Sequence, residues 1–341
     1  MKNGPGPAGA ADVRDDADLS RIRRVRIVAI EEHFAWESGA PGVRLSGLQR
    51  TEAPDARLRD LGEARIAGMD AAGVDVQVVS QTQPGAQGYA GAGAAARARE
   101  ENDRLAEAVG RHPDRLAAFA ALPTADPVAA ADELERTVGE LGFKGALVNG
   151  HTEGRFLDDA RFWPILERAE ALDVPLYLHP APPPSAVVDA YFAGFAPQVS
   201  AVLATSAWGW HVETGLHVLR LALAGVFDRF PRLQVVVGHL GEALPFMLAR
   251  ASTVLPPAAT GLERTLAEYV RENVHLTTSG FFSVPPLLNA LLEVGADRIL
   301  FAVDYPFSAN EAGVAFLEAL PVSAADRAKI AHGNAERLLR L

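Results

Sequence analysis

The sequence predicts an α/β fold: a single (β/α)8 TIM barrel with extra helices and loop insertions. Three observations carry the prediction. Short apolar runs alternate with helical stretches all the way from residue 25 to residue 341, the pattern of βα units around a parallel sheet. Several of these runs are apolar at every position, as parallel strands buried on both faces must be. There are eight of them, the number that closes a barrel. A doubly wound open sheet is the competing architecture. No GxGxxG follows the first strand, so dinucleotide binding finds no support.

The elements follow in order. The run 25–30 is the first strand, and Glu31-Glu32-His33-Phe34 ends it. A polar segment with Gly and Pro, 35–57, precedes a helix over 59–72 that Gly73 closes. The second strand is 74–80. A glycine-rich loop, 84–93, leads into a long helix ending near Gly110. The third strand, 116–122, stops at Pro123, and Asp126 starts a helix that runs to Gly142. Strand four is 145–149, followed by a helix over 158–172. Strand five, 174–178, ends at His179-Pro180. The longest connection, 181–230, has a Pro-rich start and an amphipathic helix over 206–225. Strand six, 233–237, runs into Gly238-His239, strand seven is 274–278, and strand eight, 299–303, ends at Asp304. Helices over 310–320 and 324–340 close the chain.

Composition bounds what such a barrel can be. The chain has 341 residues, 49% of them hydrophobic, enough for one large core. It contains no cysteine, which excludes disulfides, thiolate metal sites and a cysteine nucleophile. Metal ligands must come from His, Asp and Glu. The formal net charge of −11 speaks against nucleic acid as a partner. It leaves room for an anionic substrate where a metal and a few Arg reverse the local field. Residues 1–24 start Gly/Pro/Ala-rich and then carry Asp and Arg. They lack the apolar core of a secretory signal and read as a flexible N-terminal tail before one domain, 25–341. No apolar run reaches the ~18 residues that suggest a transmembrane helix. A cytoplasmic protein with no membrane partner is expected.

The side chains with chemistry fall at strand ends. On a strand, residues two apart share a face, so Glu31 and His33 aim together and Glu32 aims away. A carboxylate beside an imidazole can supply two ligands of one divalent metal. A surface acid next to a capping histidine is the plainer alternative. The rest of the chain favours the metal: Asn149 ends the fourth strand, His179 the fifth, His239 the sixth and Asp304 the eighth. In barrel enzymes that end carries the chemistry. Two carboxylates and two imidazoles suit Zn2+ or Mn2+, with positions left for water or substrate. Glu242 lies three residues beyond His239 and can hold its tautomer and basicity, or simply favour a helix N-terminus. His211 and His217 are read as residues of the amphipathic helix, and His275 as part of strand seven.

These residues carry a resemblance. Glu31-Glu32-His33-Phe34, Phe119-Ala120-Ala121-Leu122-Pro123, the run 141–150, Tyr177-Leu178-His179-Pro180, Gly238-His239-Leu240-Gly241-Glu242, Thr277-Thr278-Ser279-Gly280 and Asp304-Tyr305-Pro306-Phe307 occur in this order. Together they resemble the amidohydrolase superfamily, in its aminocarboxymuconate-semialdehyde decarboxylase-like branch. In particular, the chain resembles the non-oxidative hydroxybenzoate decarboxylases of the γ-resorcylate and 2,3-dihydroxybenzoate type.

The resemblance implies a metal-dependent, non-oxidative decarboxylase of a hydroxylated aromatic carboxylic acid. Glu31, His33, His179 and Asp304 would be the metal ligands, and His239 with Glu242, beside Asp304, the proton-handling group. Asn149, Trp208 and Phe307 would line the substrate pocket, and Arg250 would touch substrate or a neighbouring subunit. The implied mechanism chelates the substrate carboxylate and the adjacent hydroxyl at the metal. Asp304 or His239 then protonates the ring carbon before CO2 leaves. Hydrolytic relatives begin with His-x-His; Glu31 in the first place favours C–C cleavage, with a metal-dependent hydrolase of the lactonase type as the alternative. The resemblance also implies a homodimer or homotetramer. Segments 35–57, 81–93 and 180–207 depart from the hydroxybenzoate enzymes, and Tyr305 stands where they suggest Trp, which leaves the identity of the aromatic acid open.

Overall fold

The computed structural model describes residues 25–36, 56–89 and 93–341, with Met1, Gly91 and a short ladder at 44–45 and 48–49. The tail expected over 1–24 lies outside them, save Met1. The strands are β1 (Val28–Phe34), β2 (Arg44–Leu45), β3 (Leu48–Gln49), β4 (Val76–Gln81), β5 (Leu116–Ala118), β6 (Ala120–Ala121), β7 (Ala146–Asn149), β8 (Leu176–His179), β9 (Val235–Val237), β10 (Val274–Thr277) and β11 (Ile299–Leu300). β2 and β3 form a separate antiparallel pair.

The remaining strands pair in parallel in two runs, β1-β4-β5 and β11-β10-β9-β8-β7-β6. Backbone hydrogen bonds join the runs at both ends. Phe119 N–H reaches Val79 C=O at 3.0 Å and Ala120 N–H reaches Gly145 C=O at 2.9 Å, so β5 and β6 are one barrel strand. On the far side, Ile30 N–H bonds Phe301 C=O at 3.2 Å and Asp304 N–H bonds Glu31 C=O at 2.9 Å. The ring closes with eight barrel strands, as the sequence predicts.

Alternation sorts the side chains. Val28, Ile30, Val76, Val78, Phe119, Leu147, Tyr177, Val236 and Leu300 fill the barrel interior. Their neighbours, such as Val79, Val148, Leu178, Val237 and Phe301, pack against the helices. Interior Phe119 is 1% exposed, and truncating such a residue to Ala costs ~3–5 kcal/mol.

β1 breaks the alternation. It pairs Val28 with Val76 and Ala29 with Gln77, then Glu32 with Val79 and His33 with Ser80. One extra residue is therefore inserted at Ile30–Glu31, a β-bulge. Unbroken alternation from Val28 and Ile30 would turn Glu32 inward. The bulge turns Glu31 and His33 inward instead, and leaves Glu32 buried against the backbone of 303–305.

Helix boundaries are tighter than expected. The 126–142 helix is Pro127–Gly139, with the Asp126 side chain accepting Ala129 N–H. The 206–225 helix is Gly209–Leu223, preceded by Pro197–Ala204. The 324–340 helix is broken by a wider turn at Lys329–Gly333. Among the described residues no single helix is long and apolar enough to cross a membrane.

Candidate active site

Glu31, His33, His179 and Asp304 converge at the carboxyl ends of the barrel strands, with one ligand atom from each lying within 4.8 Å of the others. His33 Nε2 stands 3.2 Å from Asp304 Oδ1 and 3.9 Å from Glu31 Oε1; His179 Nε2 is 3.6 Å from the same Glu31 oxygen. Glu31 and His33 are fully buried. Tyr177 O–H and Thr277 Oγ1 both donate to Glu31 Oε2, which fixes the carboxylate from behind. Its Oε1, and His33 Nε2, are buried without a hydrogen-bond partner among the described residues. Such unpartnered buried polar atoms are costly, and a divalent cation fits Glu31 Oε1 and, once its proton is lost, His33 Nε2.

Charge states suit that use. Burial alone would raise the Glu31 carboxyl, but His239, His33 and His179 outweigh it and hold the group well below the usual carboxylate range. Burial also opposes ionisation of Asp304, which His239 and His33 nonetheless hold low. Burial, with His33 beside it, pushes His179 down to about 4, so that it is neutral. Burial disfavours charge on His33 too, but Asp304 and Glu31 lift it to about 9. That proton must leave when a cation binds.

A second cluster touches the first. His239 Nδ1 donates to Glu242 Oε1 at 2.6 Å, and His239 Nε2 faces Asp304 Oδ2 at 3.7 Å. Glu242 is fully enclosed; burial would raise it, but His239 and His211 keep it low and ionised. Burial would lower His239, yet Glu242, Glu31 and Asp304 hold it well above the usual imidazole range. His211 Nδ1 completes the group by donating to the other carboxylate oxygen at 2.5 Å. The turn carrying His239 has positive φ at His239, Leu240, Glu242 and Ala243, strain of the kind found at working sites.

The other expected site residues divide. Asn149 is buried, its N–H bonded to Gln87 Oε1 at 2.5 Å, and its Oδ1 lacks a partner among the described residues. Phe307 is half exposed, its ring 5.6 Å from that of His33. Trp208 is half exposed at the start of Gly209–Leu223, and its carbonyl accepts His211 N–H at 3.1 Å. Arg250 is exposed on the helix Leu244–Val254, and no hydrogen bond or ion pair ties it to the site among the described residues. Sequence reasoning missed Tyr177, Thr277, His211 and Phe281. The Phe281 ring lies 5.4 Å from that of His239. Tyr177 was within reach, because it stands two residues before His179 on the same inward face. His211 was not, since it arrives from a helix.

Comparison with known proteins identifies the family. Residues 30–341 match the family described as Amidohydrolase. The γ-resorcylate decarboxylase of Polaromonas sp. (strain JS666) is 39% identical over 331 residues, covering 92% of this chain and 98% of the relative. A crystal structure of dihydroxybenzoic acid decarboxylase from Polaromonas sp. JS666, with bound manganese and the inhibitor 2-nitroresorcinol, superposes with a TM-score of 0.83 at 38% identity, covering 93% of this chain and 97% of that one. The 5-carboxyvanillate decarboxylase of Novosphingobium aromaticivorans, complexed with manganese and 4-hydroxy-3-methoxy-5-nitrobenzoic acid, gives 0.84 at 34% identity, covering 93% and 97%.

Proposed function

The chain belongs to the amidohydrolase family, and from that premise we propose that it is a metal-dependent, non-oxidative decarboxylase of a hydroxylated aromatic acid. The observation that carries the reading is the junction of two groups. A four-ligand cluster shares Asp304 with a buried imidazole, His239, itself held by Glu242. Relatives at 39% identity over nearly their whole length are decarboxylases of this substrate class.

Glu31, His33, His179 and Asp304 are the proposed ligands of one divalent ion, Mn2+ or Zn2+. When bound, that ion supplies Lewis-acid stabilisation of charge developing on the substrate oxygens. The protein supplies the proton. Replacing a ring carboxylate by hydrogen consumes one proton per turnover. Glu242 accepts from His239 Nδ1, which leaves Nε2 as the nitrogen that faces Asp304 and can carry a proton toward substrate. Tyr177 and Thr277 keep Glu31 in place, and the Phe281 and Phe307 rings offer apolar faces for an aromatic acid. Asn149, with its free Oδ1, is the proposed polar contact to a ring hydroxyl, and Trp208 the outer wall.

Arg250 fits a subunit contact better than a substrate contact, since it is exposed near Phe246 and Met247. Tyr191, Phe195, Val199, Val202 and Trp208, all within residues 191–208, are exposed too, which supports a homodimer or homotetramer. A cytoplasmic location is part of the same proposal. Turnover of 2,6-dihydroxybenzoate in D2O tests the proton step. One deuterium at the vacated ring carbon is expected; product without it would exclude protonation by exchangeable groups of the site.

A further inference from the structure

β11 stops pairing as a strand at Leu300, four residues before Asp304. Something else must hold Asp304 where the cluster needs it. Its backbone sits at φ 70, a left-handed conformation that costs a non-glycine residue energy and that its surroundings help to hold. Three successive amides supply the constraint. Asp304 N–H goes to the Glu31 carbonyl at 2.9 Å. The amides on either side go to one side chain: Val303 N–H to Glu32 Oε1 at 2.8 Å and Tyr305 N–H to Glu32 Oε2 at 3.1 Å. Glu32 is 0% exposed, and both its oxygens can accept hydrogen bonds whether or not the carboxyl is protonated.

Arg65 buttresses this grip from the same side. It is 1% exposed. Its guanidinium donates to His33 C=O at 2.6 Å and to Gln77 Oε1 at 3.0 Å, and lies 4.8 Å from the centre of the Tyr305 ring. The carbonyl of one proposed ligand and the residue after another are thus tied to one buried cation.

We propose that Glu32 is a positioning residue for the metal centre: its two carboxyl oxygens bracket Asp304 by gripping the amides of Val303 and Tyr305. This rests on reading Glu31, His33, His179 and Asp304 as metal ligands. Thr278 provides the matched control. Its Oγ1 also bridges backbone groups of this segment, donating to Ala302 C=O at 2.9 Å and accepting Ala302 N–H at 3.1 Å, but it does not bracket Asp304.

The test compares the wild type, E32Q and T278V, each stripped of metal. Mn2+ affinity is measured by chelator competition and thermal stability is measured without metal. Gln retains one oxygen, so one of the two amides loses its acceptor. Mn2+ affinity in E32Q should fall by ~10–100-fold, the range for partners that orient ligands. T278V should lose stability yet bind Mn2+ as the wild type does. Native affinity in E32Q, or equal losses in E32Q and T278V, overturns the proposal and leaves the ligand assignment standing. A wild type that binds no Mn2+ overturns both. If E32Q fails to fold, E32D carries the comparison, because it keeps two oxygens drawn back by about one bond length; native affinity there is equally fatal.

Discussion

Replacing Gly238 by Ala adds one methyl group against the carboxylate of Glu31. The new Cβ would lie 2.7 Å from Glu31 Oε2, 3.2 Å from Oε1 and 3.0 Å from Ser279 Oγ. The first contact is roughly 0.6 Å shorter than even a close C–H···O approach of ~3.3 Å. The backbone at Gly238 has φ −70 and ψ −176, which Ala adopts freely, so the cost is steric. Glu31 cannot retreat without breaking its bonds from Tyr177 and Thr277. Overpacking of this kind destabilises by ~1–3 kcal/mol. If a comparable amount is lost from the ligand geometry, Mn2+ binding weakens by roughly 10–100-fold, at 1.4 kcal/mol per factor of ten. Equilibrium dialysis with Mn2+ and chemical denaturation measure the two effects separately. G238A with wild-type Mn2+ affinity and full turnover would refute Glu31 as a fixed ligand.

Removing a ligand should act more bluntly: H33A and D304N are expected to lose bound metal and nearly all turnover while staying folded, and full activity in both would remove the site. H239Q and E242Q should separate the proton from the metal, keeping Mn2+ near the wild-type level while kcat falls by ~10²–10⁴-fold; a parallel loss of metal would assign these residues to ligand support. Stability should fall with acid, because burial, assisted by Arg220, pushes His217 down to about 3, and burial, assisted by Arg298, does the same for His275. Between the ordinary imidazole value of ~6.5 and pH 3 the unfolded chain binds protons that the folded one refuses. Each group therefore removes on the order of 1.4 kcal/mol per pH unit as the pH drops through that window. Urea unfolding of H217Q should give a shallower pH slope than the wild type; identical slopes would contradict a buried neutral His217.

The barrel and four of its polar strand ends were legible in the sequence because both rest on simple periodicities. Apolar runs of strand length gave the eight units, and Asn149, His179, His239 and Asp304 follow such runs directly. β1 shows the limit of that reasoning. Val28 and Ile30 face inward, and alternation alone would send Glu32 in after them. Glu31 and His33 nonetheless share a face, because the extra residue falls at Ile30–Glu31, before the pairing resumes at Glu32 and His33. Nothing local in the sequence announces that extra residue, since a bulge is set by the register of two strands. His211 was missed for a related reason. Its meeting with Glu242 depends on how the helix Gly209–Leu223 docks over the barrel mouth, where Gly215 lets it approach the carbonyl of Glu242. Alternation sets Glu32 apart from Glu31 and His33 but does not show what it meets, the amides of Val303 and Tyr305 on either side of Asp304.

The proposed reaction is the metal-dependent removal of a carboxylate from an aromatic ring. The most direct measurement is CO2 release from a panel of ortho-hydroxybenzoates, including 2,6-dihydroxybenzoate, before chelation, after it, and after Mn2+ or Zn2+ is restored. One CO2 per phenolic product is expected, with activity lost with the metal and regained on its return. Hydrolysis of lactones with no CO2 from any of these acids, or CO2 release indifferent to chelation, would contradict it.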